Sequence, residues 1–158
     1  ARTLILLSNL LGGPGMNSRL NLGIREKYGF TYTIESNYTT YFDTGVWSIY
    51  FGTEPQSVKK TIKLILKELK KLRTKKLGPV QLKKAKQQLI GQLAIAQENN
   101  CNLMQSNAKS YQTFGKVASV EETKKKIMAI TADDLQEVAK EIFREEQLST
   151  IIYEPKDL

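Results

Sequence analysis

Histidine is absent from this sequence of 158 residues, and cysteine occurs once, as Cys101. A catalytic zinc site usually needs at least one or two His or Cys ligands, so this chain cannot assemble one. A Ser-His or Cys-His nucleophile pair and a His general base are excluded for the same reason. One cysteine cannot form an internal disulfide, and Cys101 is expected to be a small buried hydrophobe.

Long apolar runs are also missing, since no stretch approaches the ~20 residues that cross a bilayer. The net charge of +8 could indicate nucleic acid or an acidic surface as a partner. The lysines concentrate, however, at 59–86 and 124–126, on segments with helical apolar spacing, which is typical of solvated helix faces. We therefore expect a soluble protein with no membrane or nucleic-acid partner. A basic nucleic-acid module is the weakest alternative.

Hydrophobic residues make up 41% of the chain and charged residues 25%, which is typical of one folded domain. Gly12, Gly13 and Gly15 are expected to stop the first helix in the left-handed conformation. A helix break is expected within 97–109, where the sequence is polar and irregular. The apolar spacing predicts helices at 2–11, 16–27, 58–72, 82–96, 119–130 and 131–142, and strands at 30–42, 45–53 and 148–153.

The first two strands are predicted to form an antiparallel hairpin, with Trp47, Ile49 and Phe51 on the face against the helices. The fold class is therefore α+β, an antiparallel sheet with helices packed on one face. Three strands make a thin sheet under so much helix, and the chain begins at Ala1 without an initiator Met. We expect residues 1–158 to be a single, partial domain, truncated at its N-terminal end, whose missing strands precede Ala1.

The segment Gly12–Tyr32 reads GGPGMNSRLNLGIREKYGFTY. It resembles the part of the pitrilysin and insulinase type zinc metallopeptidases (inverzincins) that reads Gly-Gly-Gly-Met-Ser-Ser-Arg-Leu, then Arg-Glu-Lys, then Gly-Leu-Ala-Tyr. Pro14 and Asn17 depart from the Gly and Ser of that pattern. The resemblance continues through 42–53, the two following helices and 127–138, and mitochondrial processing peptidase and small bacterial homologues are the nearest kind.

The resemblance implies a C-terminal-type half-domain of the processing-peptidase type, without the His-x-x-Glu-His motif of the family. Arg25 and Tyr32, seven positions apart, match an Arg and a Tyr that reach the substrate near the metal, so they are the expected substrate-binding residues. Zinc would be held by a homologous zinc-bearing half, in the same chain or in a partner, and none by this chain.

The function implied is the substrate-binding half of a zinc-dependent metalloendopeptidase that acts on peptides. This half has no catalytic residue of its own and is inactive when isolated. The alternative is a non-catalytic structural or substrate-guiding half of the same family. Whether the chain forms a homo-oligomer stays open, and the expected compartment is a bacterial cytoplasm or periplasm.

Overall fold

The structure, a computed structural model, describes residues 2–41 and 43–154. Ala1, the predicted strand end at Phe42 and residues 155–158 lie outside this description. A π-helical segment spans Asn21–Glu26, and short 3-10 turns span Pro55–Ser57 and Glu145–Gln147. The regular elements are α1 (Arg2–Gly12), β1 (Thr31–Thr40), β2 (Gly45–Thr53), α2 (Val58–Thr74), α3 (Pro79–Ala96), α4 (Asn100–Phe114), α5 (Val120–Ala129) and α6 (Ala132–Ile142).

Strands β1 and β2 form the predicted antiparallel hairpin, with Ile34 opposite Phe51 and Tyr38 opposite Trp47. Trp47, Ile49 and Phe51 pack against the core, as their alternation predicts. The ring of Phe143, just after α6, meets the Trp47 ring edge-on at 5.0 Å between centroids. The α+β prediction, with helices on one face of an antiparallel sheet, is confirmed.

Helix α1 lies at the centre of the fold and contacts β1, α3, α5 and α6. Leu6, Leu7 and Leu11 have no solvent exposure, because these neighbours surround the helix. The hydroxyl of Ser8 donates to the backbone carbonyl of Ser36 at 2.9 Å, which ties α1 to β1. The hairpin therefore rests on a buried helix and does not depend on its own ladder for stability.

The glycines at the end of α1 act through close packing, which corrects the prediction of a left-handed stop. In the described part of the chain, positive φ occurs at Gly29 and Gly115 and at no residue of the Gly12–Gly15 turn. A Cβ on Gly12 would lie 2.5 Å from the backbone nitrogen of Ser36. Only a residue without a side chain allows α1 to approach β1 this closely.

The starts of the later helices follow the local capping signals in the sequence. Ser119 and Glu122 form a reciprocal capping box at α5, and Thr131 and Asp134 form another at α6. The predicted break between α3 and α4 is confirmed, with the Asn99 side chain accepting from the Asn102 amide at 3.1 Å. These boundaries were predictable because each depends on neighbouring residues.

The predicted third strand at Leu148–Tyr153 is wrong. Among the described residues the sheet has two strands, and 148–153 pair with neither of them. Ile151 is 79% exposed and Tyr153 92% exposed. An apolar, β-branched run becomes a strand only where it pairs with a neighbouring strand, and this segment does not pair with the hairpin.

Three side chains differ from their expected burial. Met16 is exposed because the helix begins only at Arg19, so Met16 does not continue the buried stripe of Leu20 and Ile24. Cys101 is exposed because α4 buries none of its residues. The expected solvated lysine face of α2 is confirmed, whereas Lys86 of α3 is only 8% exposed. Its ammonium donates to the Met128 carbonyl at 2.7 Å, near the end of α5.

We expect Gly12→Ala to destabilise the protein by about 1–3 kcal/mol, because the added methyl forces α1 away from β1. Gly91→Ala is the matched control, since nothing lies within 4 Å of its Cβ position. That change should stabilise the exposed middle of α3 by about 0.5–1 kcal/mol. Urea unfolding of both variants measures the difference. Equal stability of the two variants would contradict the close-packing role of Gly12.

Candidate functional site

Arg25 lies in the π-helical segment that precedes the hairpin. Leu20 and Ile24 are fully buried and anchor this segment, while Arg25 itself is half-buried. The short helical turn that continues from this segment ends at Gly29. Its φ of 64° is left-handed, and its amide donates to the Arg25 carbonyl at 2.9 Å. No ion pair within 2–41 and 43–154 involves Arg25.

Tyr32 lies at a β-bulge in β1. Thr31 is opposite Thr53 and Thr33 is opposite Gly52, so β1 carries one residue more than β2 at this point. Tyr32 and Thr33 are consecutive exposed residues, and the inward alternation resumes at Ile34. The bulge therefore turns the phenol outward, with 68% of the Tyr32 side chain exposed.

The hydroxyl of Tyr32 donates to Oε1 of Glu54 at 3.2 Å. The amide Nε2 of Gln56 donates to the other oxygen of the same carboxylate. The hydrogen bond to Glu54, followed by the charge of that carboxylate, raises the pKa of Tyr32 above its ordinary value. Both effects favour the phenol as the hydrogen-bond donor to this carboxylate.

The two predicted site residues lie on elements that touch. The π-helical segment contacts β1, and the turn at Gly29 connects them. Tyr32 is at the end of the hairpin where Thr31 pairs with Thr53, and Glu54 follows Thr53 directly. Tyr32 and Glu54 therefore lie together at this end of the hairpin, and Arg25 lies on the neighbouring segment that contacts β1.

An aromatic pair borders this region. The rings of Tyr28 and Phe30 stack with centroids 5.4 Å apart. The ammonium of Lys27 lies 5.3 Å from the Tyr28 ring centroid, and that of Lys60 lies 5.8 Å from the Phe30 ring centroid. The stacked rings therefore carry a lysine ammonium on each of their two members, one from just after the π-helical segment and one from α2.

Sequence reasoning did not find Glu54 or Gln56. Neither belongs to a recognisable motif, and their nearness to Tyr32 follows from the strand register and not from sequence spacing. The one available signal was the pairing of the two strands, which places the residue after Thr53 beside the start of β1. A predicted hairpin with its register worked out would have pointed to Glu54.

The residues of this chain do not fit a zinc site. The sequence has no histidine, and its one thiol, Cys101, is exposed on α4. Across the part of the chain that the structure describes, no three His, Cys, Asp or Glu residues cluster as metal ligands would. No metal-dependent step is assigned to these residues.

Two cavities of the fold do not include the candidate residues. A groove of about 310 Å³ lies between α3, α4 and α5, and neither Arg25 nor Tyr32 lines it. A smaller cavity beside Pro14 and Ser36 does not include them either.

None of the helices between residues 2 and 154 combines the length and the apolar composition that crossing a bilayer requires.

Comparison with known proteins places this chain in a family. Residues 1–89 match the family description "Peptidase M16 inactive domain". The chain is 38% identical over 153 residues to an uncharacterized zinc protease of Rickettsia felis, covering 97% of this chain and 36% of that protein. It is 29% identical over 99 residues to the mitochondrial-processing peptidase subunit beta of Saccharomyces cerevisiae, covering 61% of this chain and 21% of that subunit.

A solved protease from Helicobacter pylori has the same fold, with a TM-score of 0.81 and 22% identity over 92% of this chain and 35% of that one. This chain spans about a third of the length of these bacterial proteins. The match over residues 1–89 includes the Gly12–Tyr32 segment and the whole hairpin, so the resemblance drawn from that segment is confirmed. The chain belongs to the M16 family of zinc metallopeptidases and matches the inactive domain of that family.

Proposed function

We propose that this chain is the substrate-binding half of a zinc-dependent metalloendopeptidase that acts on peptides. Residues 1–158 would form a single, partial half-domain of the C-terminal type. Two facts support this proposal: the match to an inactive domain, and a length of about a third of the related zinc proteases. A homologous zinc-bearing half, in the same parent chain or in a partner, would supply the metal.

The observation that carries the proposal is the bulge that exposes Tyr32 beside the segment bearing Arg25. A guanidinium is always charged and offers several N–H donors, and a phenol offers one O–H donor. Such donors hydrogen bond to the carbonyl oxygen of a bound peptide. They bind more strongly still to the oxyanion that forms when water attacks that carbonyl.

Arg25→Ala and Tyr32→Phe should each lower kcat/KM of the full-length parent protease by about 10²-fold or more, because each removes a donor to the developing oxyanion. Arg144→Ala and Tyr111→Phe are matched controls, since both residues are exposed, Arg144 follows α6 and Tyr111 lies on α4. Peptide hydrolysis and urea unfolding are measured on all four variants. The unfolding free energy should change little in each.

Unchanged turnover in both Arg25→Ala and Tyr32→Phe would contradict a substrate role for the pair. Peptide binding that persists in both variants, with a parent whose other half also lacks a zinc motif, would instead favour the structural or substrate-guiding half. Binding of a labelled peptide, measured by fluorescence anisotropy at several enzyme concentrations, separates these outcomes.

The isolated 158-residue chain should not hydrolyse peptides, whether or not zinc is added, because it has no His ligand for the metal. Hydrolysis should appear when the zinc-bearing half of the parent is added, and a chelator should abolish it. A set of fluorogenic peptides provides the measurement. Chelator-resistant hydrolysis by this chain alone would contradict the proposed division of roles.

A further inference from the structure

We propose that Glu54 is a positioning residue for Tyr32, and this inference rests on the proposed function. The Tyr32 hydroxyl donates to Oε1 of Glu54 at 3.2 Å, while Gln56 donates to Oε2. Gln56 therefore holds the carboxylate of Glu54, and that carboxylate in turn holds the phenol of Tyr32. Neither Glu54 nor Gln56 is among the residues that the family resemblance identifies.

The backbone around Glu54 is fixed on both sides. Glu54 follows Thr53, the last residue of β2, and precedes Pro55, whose ring restricts the chain at the start of a 3-10 turn. The hydroxyl of Thr53 donates to the carbonyl of Phe30, which ties the end of β2 to the residue before β1. Glu54 therefore follows directly after the end of β2 that pairs with the bulged end of β1.

The pairing determines where the single phenolic proton points. A phenol has one O–H to donate, and without a peptide that hydrogen bond goes to Glu54. When a peptide binds, its carbonyl oxygen would replace the carboxylate as the acceptor. The hydrogen bond is exchanged and not lost, and the ring already lies in one orientation before the substrate arrives.

The charges near the phenol support the same role. Glu54 raises the pKa of Tyr32, first through the hydrogen bond and then through its negative charge. The cations on neighbouring elements are Arg25 of the π-helical segment and Lys60 of α2, which lies over the Phe30 ring. Glu54 therefore opposes ionisation of Tyr32 and accepts its hydrogen bond.

Glu54→Ala should lower kcat/KM of the full-length parent about 10-fold, the low end of what loss of a supporting hydrogen bond at a site costs. Glu54→Gln keeps an oxygen acceptor without the charge, so we expect a loss of about 3-fold or less. Glu35→Gln is the control, because Glu35 is also exposed on the hairpin but lies opposite Tyr50.

A double-mutant cycle separates positioning from a general structural effect. If Glu54 acts through Tyr32, Glu54→Ala should cause no further loss of kcat/KM in a Tyr32→Phe background. The direct readout is the pH titration of the Tyr32 phenol, followed by NMR through the chemical shift of a ring carbon. That resonance is assigned by its disappearance in Tyr32→Phe. In Glu54→Gln the phenol should lose its proton at lower pH than in the wild type, because the negative charge that opposes ionisation is gone.

The outcomes of these experiments are distinct. Additive losses in the double mutant, an unmoved Tyr32 titration, or turnover that stays equal or rises in Glu54→Ala would each overturn the positioning role. If Tyr32→Phe is harmful while Glu54→Ala is not, only this inference fails. If Tyr32→Phe has no effect, this inference fails, and the proposed function fails with it when Arg25→Ala has no effect either.

Discussion

One extra residue in β1 is the constraint on which the candidate site depends. Ile34 and Ser36 point inward toward α1, and in an unbroken strand Tyr32 would have the same parity and point inward with them. The bulge between Thr31 and Thr33 changes the alternation by one residue, so that Thr31 is buried and Tyr32 is exposed. A large aromatic side chain that could have filled the core is therefore presented to solvent, where it can meet a peptide.

The bulge persists because the structure beneath it is rigid. An isolated two-stranded hairpin is marginal in water, and a bulge weakens its ladder further. Here α1 lies directly under β1, with Gly12 in close contact with Ser36 and with Leu11 fully buried. Thr31, at the inner side of the bulge, is only 5% exposed. The hairpin is thus a supported platform, and a local irregularity at its end can be tolerated.

The parts of the fold that depend on neighbouring residues were predictable from the sequence. The helix starts at Ser119 and Thr131 follow from a hydroxyl and an acidic residue three positions later. The hairpin follows from two alternating runs around a turn. The segment Leu148–Tyr153 shows the opposite case, because its identity as a strand requires a partner edge far away in the sequence. Local propensity could not supply that information.

The site was predictable only in part. The family pattern identified Arg25 and Tyr32, but it gave no reason why their side chains should be accessible. The bulge has no signature in Thr31–Thr33, since all three residue types favour strands. Glu54 lies beside Tyr32 because of the strand register, and an alternating pattern excludes slips of one residue but leaves slips of two open.

Both predicted site residues lie where a regular element is interrupted. Arg25 belongs to a π-helical turn and Tyr32 to a β-bulge, and the two elements are in contact. Each interruption gives up regular backbone hydrogen bonding and redirects one side chain. Packing does not account for the position of Tyr32, which contributes little to the core, so under the proposed function the benefit lies in binding. A peptide that accepts hydrogen bonds from both side chains would provide that benefit.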